Sequence, residues 1–122
     1  MEKIKIKIGE IEIEGEMLDT KLGKKIIEKI PFSSKANLWG DEIYFEVDVD
    51  EKLEMPVSEV GKGDIGYWPT GKCLCLFFGP TPISYGDKII PASKVEIVGK
   101  IIKGIEKLKQ VKERDEIIVE KG

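Results

Sequence analysis

The opening sixteen residues can pair with themselves in one register only. Ile4, Ile6 and Ile8 alternate with Lys3, Lys5 and Lys7. After Gly9-Glu10 the pattern resumes, with Ile11 and Ile13 alternating with Glu12, Glu14 and Glu16. Period two marks strands with one buried face. A two-residue turn led by glycine suits a type II′ hairpin. That turn sets Ile8 opposite Ile11 and Ile6 opposite Ile13. On the other face Lys7 meets Glu12, Lys5 meets Glu14 and Lys3 meets Glu16. Each opposed charge pair contributes roughly 0.2–1 kcal/mol, and a one-residue slip forfeits all three while turning the isoleucines to water. These charges read as register-setting on a solvated face, not as a ligand site.

A helix is expected next. Asp19 or Thr20 can cap it, Leu22, Ile26 and Ile30 recur at i+4 beside Ile27, and Pro31 stops it. Gly23 inside it costs about 1 kcal/mol relative to Ala, so either the backbone packs closely there or the helix is modest. Period two then returns. Phe32, Ser34, Ala36 and Leu38 share one face; Ser33, Lys35, Asn37 and Trp39 share the other. Gly40-Asp41 turns the chain into a strand with Ile43, Phe45, Val47 and Val49 inward and Glu42, Tyr44, Glu46 and Asp48 opposite. Lys52–Lys62 reads as a linker that Met55, Val57 and Val60 can tuck down. Asp64–Trp68 and Lys72–Phe78 are strands, the second apolar on both faces and therefore expected to be central and covered. Gly79–Ser93 is a long ordered loop. Val95–Ile102 is a strand bent at Gly99, Ile105, Leu108 and Val111 mark a short helix, and Glu116–Glu120 is the last strand. Eight short strands with frequent turns suggest a closed barrel or a sandwich.

The chain has 122 residues, which suits a single domain spanning 1–122. Its formal net charge is −3, and charged residues, 35% of the total, interleave both signs. Without a basic block, neither nucleic acid nor an anionic membrane is expected as the main partner. There is no histidine. That removes Ser–His–Asp and Cys–His catalysis and any His-liganded metal. Cys73 and Cys75, two apart on a strand, lie at or beyond the edge of disulfide geometry and are too few for structural zinc, so they read as small apolar groups. No apolar run approaches the ~18 residues of a membrane span, and Met1-Glu2-Lys3 leads into alternating charge rather than a signal core. A reducing cytoplasm is the expected compartment. Nineteen Ile and nineteen Lys against one Asn and one Gln give a composition like that of proteins from hot-growing organisms.

The order of elements (two strands, helix, five strands, helix, strand) resembles the cyclophilin barrel. Val98-Gly99-Lys100-Ile101-Ile102-Lys103-Gly104-Ile105 is similar to the cyclophilin strand that passes through a glycine into the last helix. Gly71-Lys72-Cys73-Leu74-Cys75-Leu76-Phe77-Phe78 falls where cyclophilins place a phenylalanine-rich strand. Trp39-Gly40-Asp41-Glu42-Ile43-Tyr44-Phe45, Gly63-Asp64-Ile65-Gly66-Tyr67-Trp68-Pro69 and Phe77-Phe78-Gly79-Pro80-Thr81-Pro82 resemble a small prokaryotic cyclophilin-like family of uncharacterised domains. The resemblance implies a mainly β fold, a closed eight-stranded cyclophilin-like β-barrel with two helices capping its ends. It also raises prolyl isomerisation, whose barrier of about 18–20 kcal/mol cyclophilins lower with a cation over the prolyl amide, a neighbouring amide side chain and an aromatic pocket. Here the third strand lacks arginine, since the only one is Arg114. Lys35 is the cation on that strand, and it lacks the planar guanidinium fork. The fourth strand offers Glu46 or Phe45 in place of glutamine, and no pocket histidine exists.

The alternation places Lys35, Asn37, Trp39, Tyr44 and Glu46 on the outer surface, joined by Trp68, where the resemblance implies a peptide groove. These six are the candidate ligand-binding residues, for a peptide or small molecule. Trp39 and Trp68 covering the barrel under the 52–62 or 79–93 segments is the competing reading. Lys35 and Glu46 read as a surface ion pair. Asp64 and Asp87 read as turn-formers. Glu42, Glu46, Asp48, Asp50 and Glu51 form an acidic set whose carboxylates splay apart along strands, so no metal site or cofactor is expected. Three functions stand open: a binding domain without efficient isomerase activity, a weak or divergent prolyl isomerase relying on Lys35, and a homo-oligomer or interaction module using Trp39, Tyr44 and Trp68 as its interface.

Overall fold

A computed structural model describes residues 1–122. The strands are β1 (Glu2–Ile8), β2 (Ile11–Met17), β3 (Phe32–Lys35), β4 (Asn37–Leu38), β5 (Glu42–Glu46), β6 (Asp64–Trp68), β7 (Cys73–Phe77), β8 (Glu96–Lys103) and β9 (Glu116–Lys121). Helix α1 (Lys21–Ile27) follows β2, and a 3₁₀ helix (Ile105–Gln110) precedes β9. The β1–β2 register is the one the alternation dictates, from Lys3↔Glu16 to Ile8↔Ile11. Gly9 takes φ +58° and Glu10 stays at negative φ, as a type II′ turn requires. The three charge pairs stand opposite one another as expected, but the close ion pairs run to the neighbouring strands. Lys7 reaches Glu120 of β9 at 3.0 Å, and Glu14 reaches Lys103 of β8 at 3.7 Å. The hairpin is interior to the sheet, so each charged row has neighbours on both sides.

Sheet order is β3-β9-β1-β2-β8-β6-β7-β5-β4. Its two end strands are separated in sequence by Ala36 alone. The alternating run from Phe32 to Leu38 pairs first with β9, from Phe32↔Val119 to Lys35↔Glu116, and then with β5, as Asn37↔Tyr44 and Leu38↔Ile43. The change of partner draws the sheet into a nearly closed barrel. It also makes nine strands where eight were expected. The cause is local: the Ala36 N–H donates to Asp115 and its carbonyl accepts from Arg114, so its backbone bonds go to the turn before β9. The break therefore falls at Ala36.

Ile4, Ile6, Ile8, Ile13, Met17, Ile43, Phe45, Ile65, Leu74, Leu76, Val98, Ile117 and Val119 fill the barrel, and Leu22, Ile26 and Leu108 from the helices join them. At about 1.5–3 kcal/mol for each fully buried aliphatic side chain, this interior outweighs any single surface pair. Thr20 caps α1, its hydroxyl accepting from the Gly23 N–H at 3.0 Å. Gly23 is buried, and a Cβ there would strike the Leu18 carbonyl, so close backbone packing accounts for this glycine.

A second, smaller apolar cluster lies on the opposite face of the β5–β7–β6–β8 sheet. Val60, Cys75, Phe77, Ile89 and Val95 form it, with Tyr44, Val57, Trp68 and Ile97 packed around. The 52–62 and 79–93 segments cover it. Val57 exchanges backbone hydrogen bonds with Val95, and the Val60 N–H donates to Ile89. Glu96, 2% exposed, accepts from the Glu54 and Met55 N–H groups at 2.8 and 3.1 Å, fixing the first segment while Met55 points outward. Strand β7 is thus buried on both faces, as its unbroken apolar run predicts. Both cysteines are buried free thiols.

Candidate functional site

The site begins with a turn. Gly40-Asp41 joins β4 to β5, Gly40 at φ +60°, and Trp39 and Glu42 exchange backbone hydrogen bonds of 3.0 and 3.2 Å across it. A Cβ on Gly40 would stand 2.8 Å from Pro82 Cδ and 2.9 Å from the Pro80 carbonyl. Asp41 donates its N–H to Pro80 and accepts from Phe78. The hairpin tip is therefore wedged against the start of the 79–93 segment. Thr81 and Ser84 then hold that segment together, Ser84 Oγ accepting from the N–H groups of both Thr81 and Ile90.

Register supplies the remaining walls. Tyr44 opposes Cys75 on β7, and Cys75 opposes Gly66 on β6; Trp68 lies two pairs further along, opposite Cys73. Period two brings Glu42, Tyr44, Cys75 and Trp68 to the same outer face. The Tyr44 and Trp68 rings meet edge to face, centroids 6.2 Å apart. The Trp68 indole N–H donates to Ser93 Oγ at 2.6 Å, joining the ring to the covering segment. Trp39, Glu42, Tyr44, Trp68, Cys75, Pro91, Ala92 and Val95 enclose a cavity of about 260 Å³.

Glu42 sits within this apolar lining. It is 5% exposed, and its Oε1 has no hydrogen-bond partner. Burial pushes its carboxyl up to about 7, opposed only by the adjacent Cys75 thiol, which lowers it. Burial, and then the charge of Glu42, pushes the Cys75 thiol well above the ordinary thiol range. Cys73 is pushed up to about 11 for the same first reason. Neither cysteine is a thiolate near neutral pH, so neither is an activated nucleophile.

The six candidate residues divide between two places. Trp39, Tyr44 and Trp68 line the aromatic cavity, whereas Lys35, Asn37 and Glu46 line a more polar cleft of about 480 Å³ at the barrel seam, with Ser33, Ser34, Asp48 and Arg114. Ser34 Oγ donates to the Glu46 carbonyl across the seam. Lys35 is not among the ion-paired lysines, and the expected pair with Glu46 does not form. Arg114 instead enters this cleft, donating to Asn37 Oδ1 at 3.1 Å. Its position late in the sequence hid this, because β9 lies next to β3 only in the folded sheet. Glu42 was also missed, although it shares a face with Tyr44 two residues on. The acidic set it belongs to does not gather: Asp48, Asp50 and Glu51 pair with Lys29, Lys72 and Lys25, and no three acidic or thiol groups stand close enough to hold a metal. Asp64 does form a turn, accepting from the Gly61 N–H at 2.7 Å.

The cyclophilin-like family model matches residues 2–120. The chain belongs to the cyclophilin-like family. Its fold is similar to the solution structure of a hypothetical protein from Archaeoglobus fulgidus, with a TM-score of 0.85 and 41% identity over 99% of this chain and 95% of that one. Nothing among curated proteins matches it. The motifs that carried the cyclophilin-like resemblance are neighbours in space: Trp39-Gly40-Asp41 abuts Phe78-Gly79-Pro80, and a Cβ on Gly79 would strike the Asp41 carboxyl. In this cyclophilin-like chain the first of those segments brings Trp39 into the lining of the aromatic cavity. No helix is long and apolar enough to cross a membrane.

Proposed function

We propose that this cyclophilin-like domain binds a small molecule, or one side chain of a peptide, in the aromatic cavity, without being an efficient prolyl isomerase. The observation that carries this reading is the cavity itself: three aromatic rings, a proline wall and one buried carboxyl around about 260 Å³. Such a lining, mostly apolar with one polar group to orient the guest, is the usual make-up of a ligand site. Trp39, Tyr44 and Trp68 are half-buried around a concavity rather than spread as a flat exposed patch, which favours binding over a subunit interface.

Isomerisation needs a cation at the prolyl amide while the ring sits in an aromatic pocket. No cationic side chain lines this cavity, and Arg114 is engaged with Asn37 in the seam cleft. A weaker second reading takes support from that contact. Asn37 is the cross-strand partner of Tyr44, so a proline peptide lying across both clefts would meet a guanidinium, an amide and an aromatic ring. In this arrangement Arg114 joins Lys35 in the seam cleft, and it alone brings a planar guanidinium. Exchange spectroscopy on a Xaa-Pro peptide, with and without the protein, tests both readings. The binding reading expects no acceleration of cis/trans exchange. Acceleration that falls in Arg114→Ala would replace it with the isomerase.

A further inference from the structure

We infer that the aromatic cavity selects a small organic ammonium group, seated among Trp39, Tyr44 and Trp68 with its charge set against the Glu42 carboxylate. This rests on reading the cavity as the binding site and names the chemical class it takes. Glu42 Oε1 is the one buried side-chain nitrogen or oxygen without a hydrogen-bond partner anywhere in the chain. Buried polar atoms are nearly always paired, so a carboxylate that lines a cavity with one oxygen unpartnered is a group whose charge the protein itself leaves uncompensated. The Trp68 indole N–H is committed to Ser93, and the Cys75 thiol beside Glu42 is only a weak donor.

The surroundings favour a positive guest. None of the eight lining residues carries a cation. Aromatic faces present negative potential and attract ammonium groups, so three rings and a carboxylate act with one sign. A neutral apolar guest would leave the carboxylate charge uncompensated, and an anion would be repelled by both the rings and the carboxylate. A volume of about 260 Å³ limits the guest to a small amine or the end of a lysine side chain.

The test uses the two indole N–H resonances of the ¹⁵N-labelled full chain at pH 8, where Glu42, held near 7, is ionised and an alkylamine is still protonated. The probes are n-butylammonium chloride, n-butanol as its neutral match, and acetyl-Gly-Lys-Gly-amide. Butylammonium is expected to shift both indoles at least tenfold more tightly than butanol, with the preference reduced below about threefold in Glu42→Gln. The wild-type comparison is sufficient should that variant fail to fold. A peptide that binds as well as the free amine assigns the guest to a protein-borne lysine; binding of the amine alone assigns it to a small molecule. Equal affinity for amine and alcohol overturns charge selection but leaves the cavity as a binding site. No shift with any probe overturns both readings.

Discussion

Asn37 and Tyr44 are cross-strand partners, and Asn37 Nδ2 donates to the Tyr44 carbonyl at 3.2 Å. This pair is the boundary between two environments. On its Tyr44 side lies the aromatic cavity; on its Asn37 side lies the polar seam where the barrel changes partner at Ala36. A surface expected as one groove is therefore two adjoining clefts of opposite character, and only one has a buried polar group left open.

Glu42 should make the protein's stability fall as pH rises through the acid range. Its carboxyl is raised from an ordinary value near 4.5 to about 7 by burial. Between those values the folded state holds a proton that the unfolded chain has released, so the stability from the neutral form is complete below about 4.5 and lost on approaching 7. At 1.36 kcal/mol per unit the loss is about 3 kcal/mol. Denaturant unfolding of wild type and Glu42→Gln at pH 4 and pH 8 should show wild type losing that much relative to the variant. Parallel pH profiles would contradict the burial argument.

Gly40 and Gly86 separate backbone strain from packing. Both take φ +60°, but a Cβ on Gly40 meets Pro80 and Pro82 while one on Gly86 meets nothing within 4 Å. Gly86→Ala should cost about 1 kcal/mol from the left-handed backbone alone. Gly40→Ala should cost about 2 kcal/mol more, since the hairpin tip must move away from the 79–93 segment. Urea midpoints measure both, and equal costs would mean that the wedge does not hold.

Glu96 ties the 52–62 segment to the barrel through two backbone N–H groups. Each bond to a charged acceptor is worth about 1.5–3 kcal/mol. Glu96→Ala should accelerate hydrogen exchange at Glu54 and Met55 while Val60, held by Ile89, remains protected. Unchanged exchange at Glu54 and Met55 would show that the segment is held elsewhere.

Sequence reading recovered what repeats with period two. The Ile4–Ile13 hairpin and the inward row Ile43, Phe45, Val47, Val49 follow from which alternate positions are apolar, and the covered β7 from a run apolar at every position, because burial enforces both patterns. Contacts between sequence-distant residues were not legible. Ala36 looks like any other member of its alternating run, and the turn that takes its hydrogen bonds lies near residues 114–115. Arg114 reaches Asn37 only because β9 pairs with β3. Lys7 finds Glu120 rather than Glu12 for the same kind of reason. At the site, Trp39, Tyr44 and Trp68 announced themselves by residue type, whereas Glu42 looked like one more surface carboxylate. The cavity it lines is completed by Pro91 and Ala92, carried there by a segment with no periodicity to read.

The most direct measurement is a titration of the two tryptophan indole resonances with n-butylammonium, since Trp39 and Trp68 are the only tryptophans and both line the cavity. Saturable movement of both, with Xaa-Pro exchange in the same sample left at its uncatalysed rate, is the result this account predicts. Indoles that stay still while the proline peptide exchanges faster would contradict it.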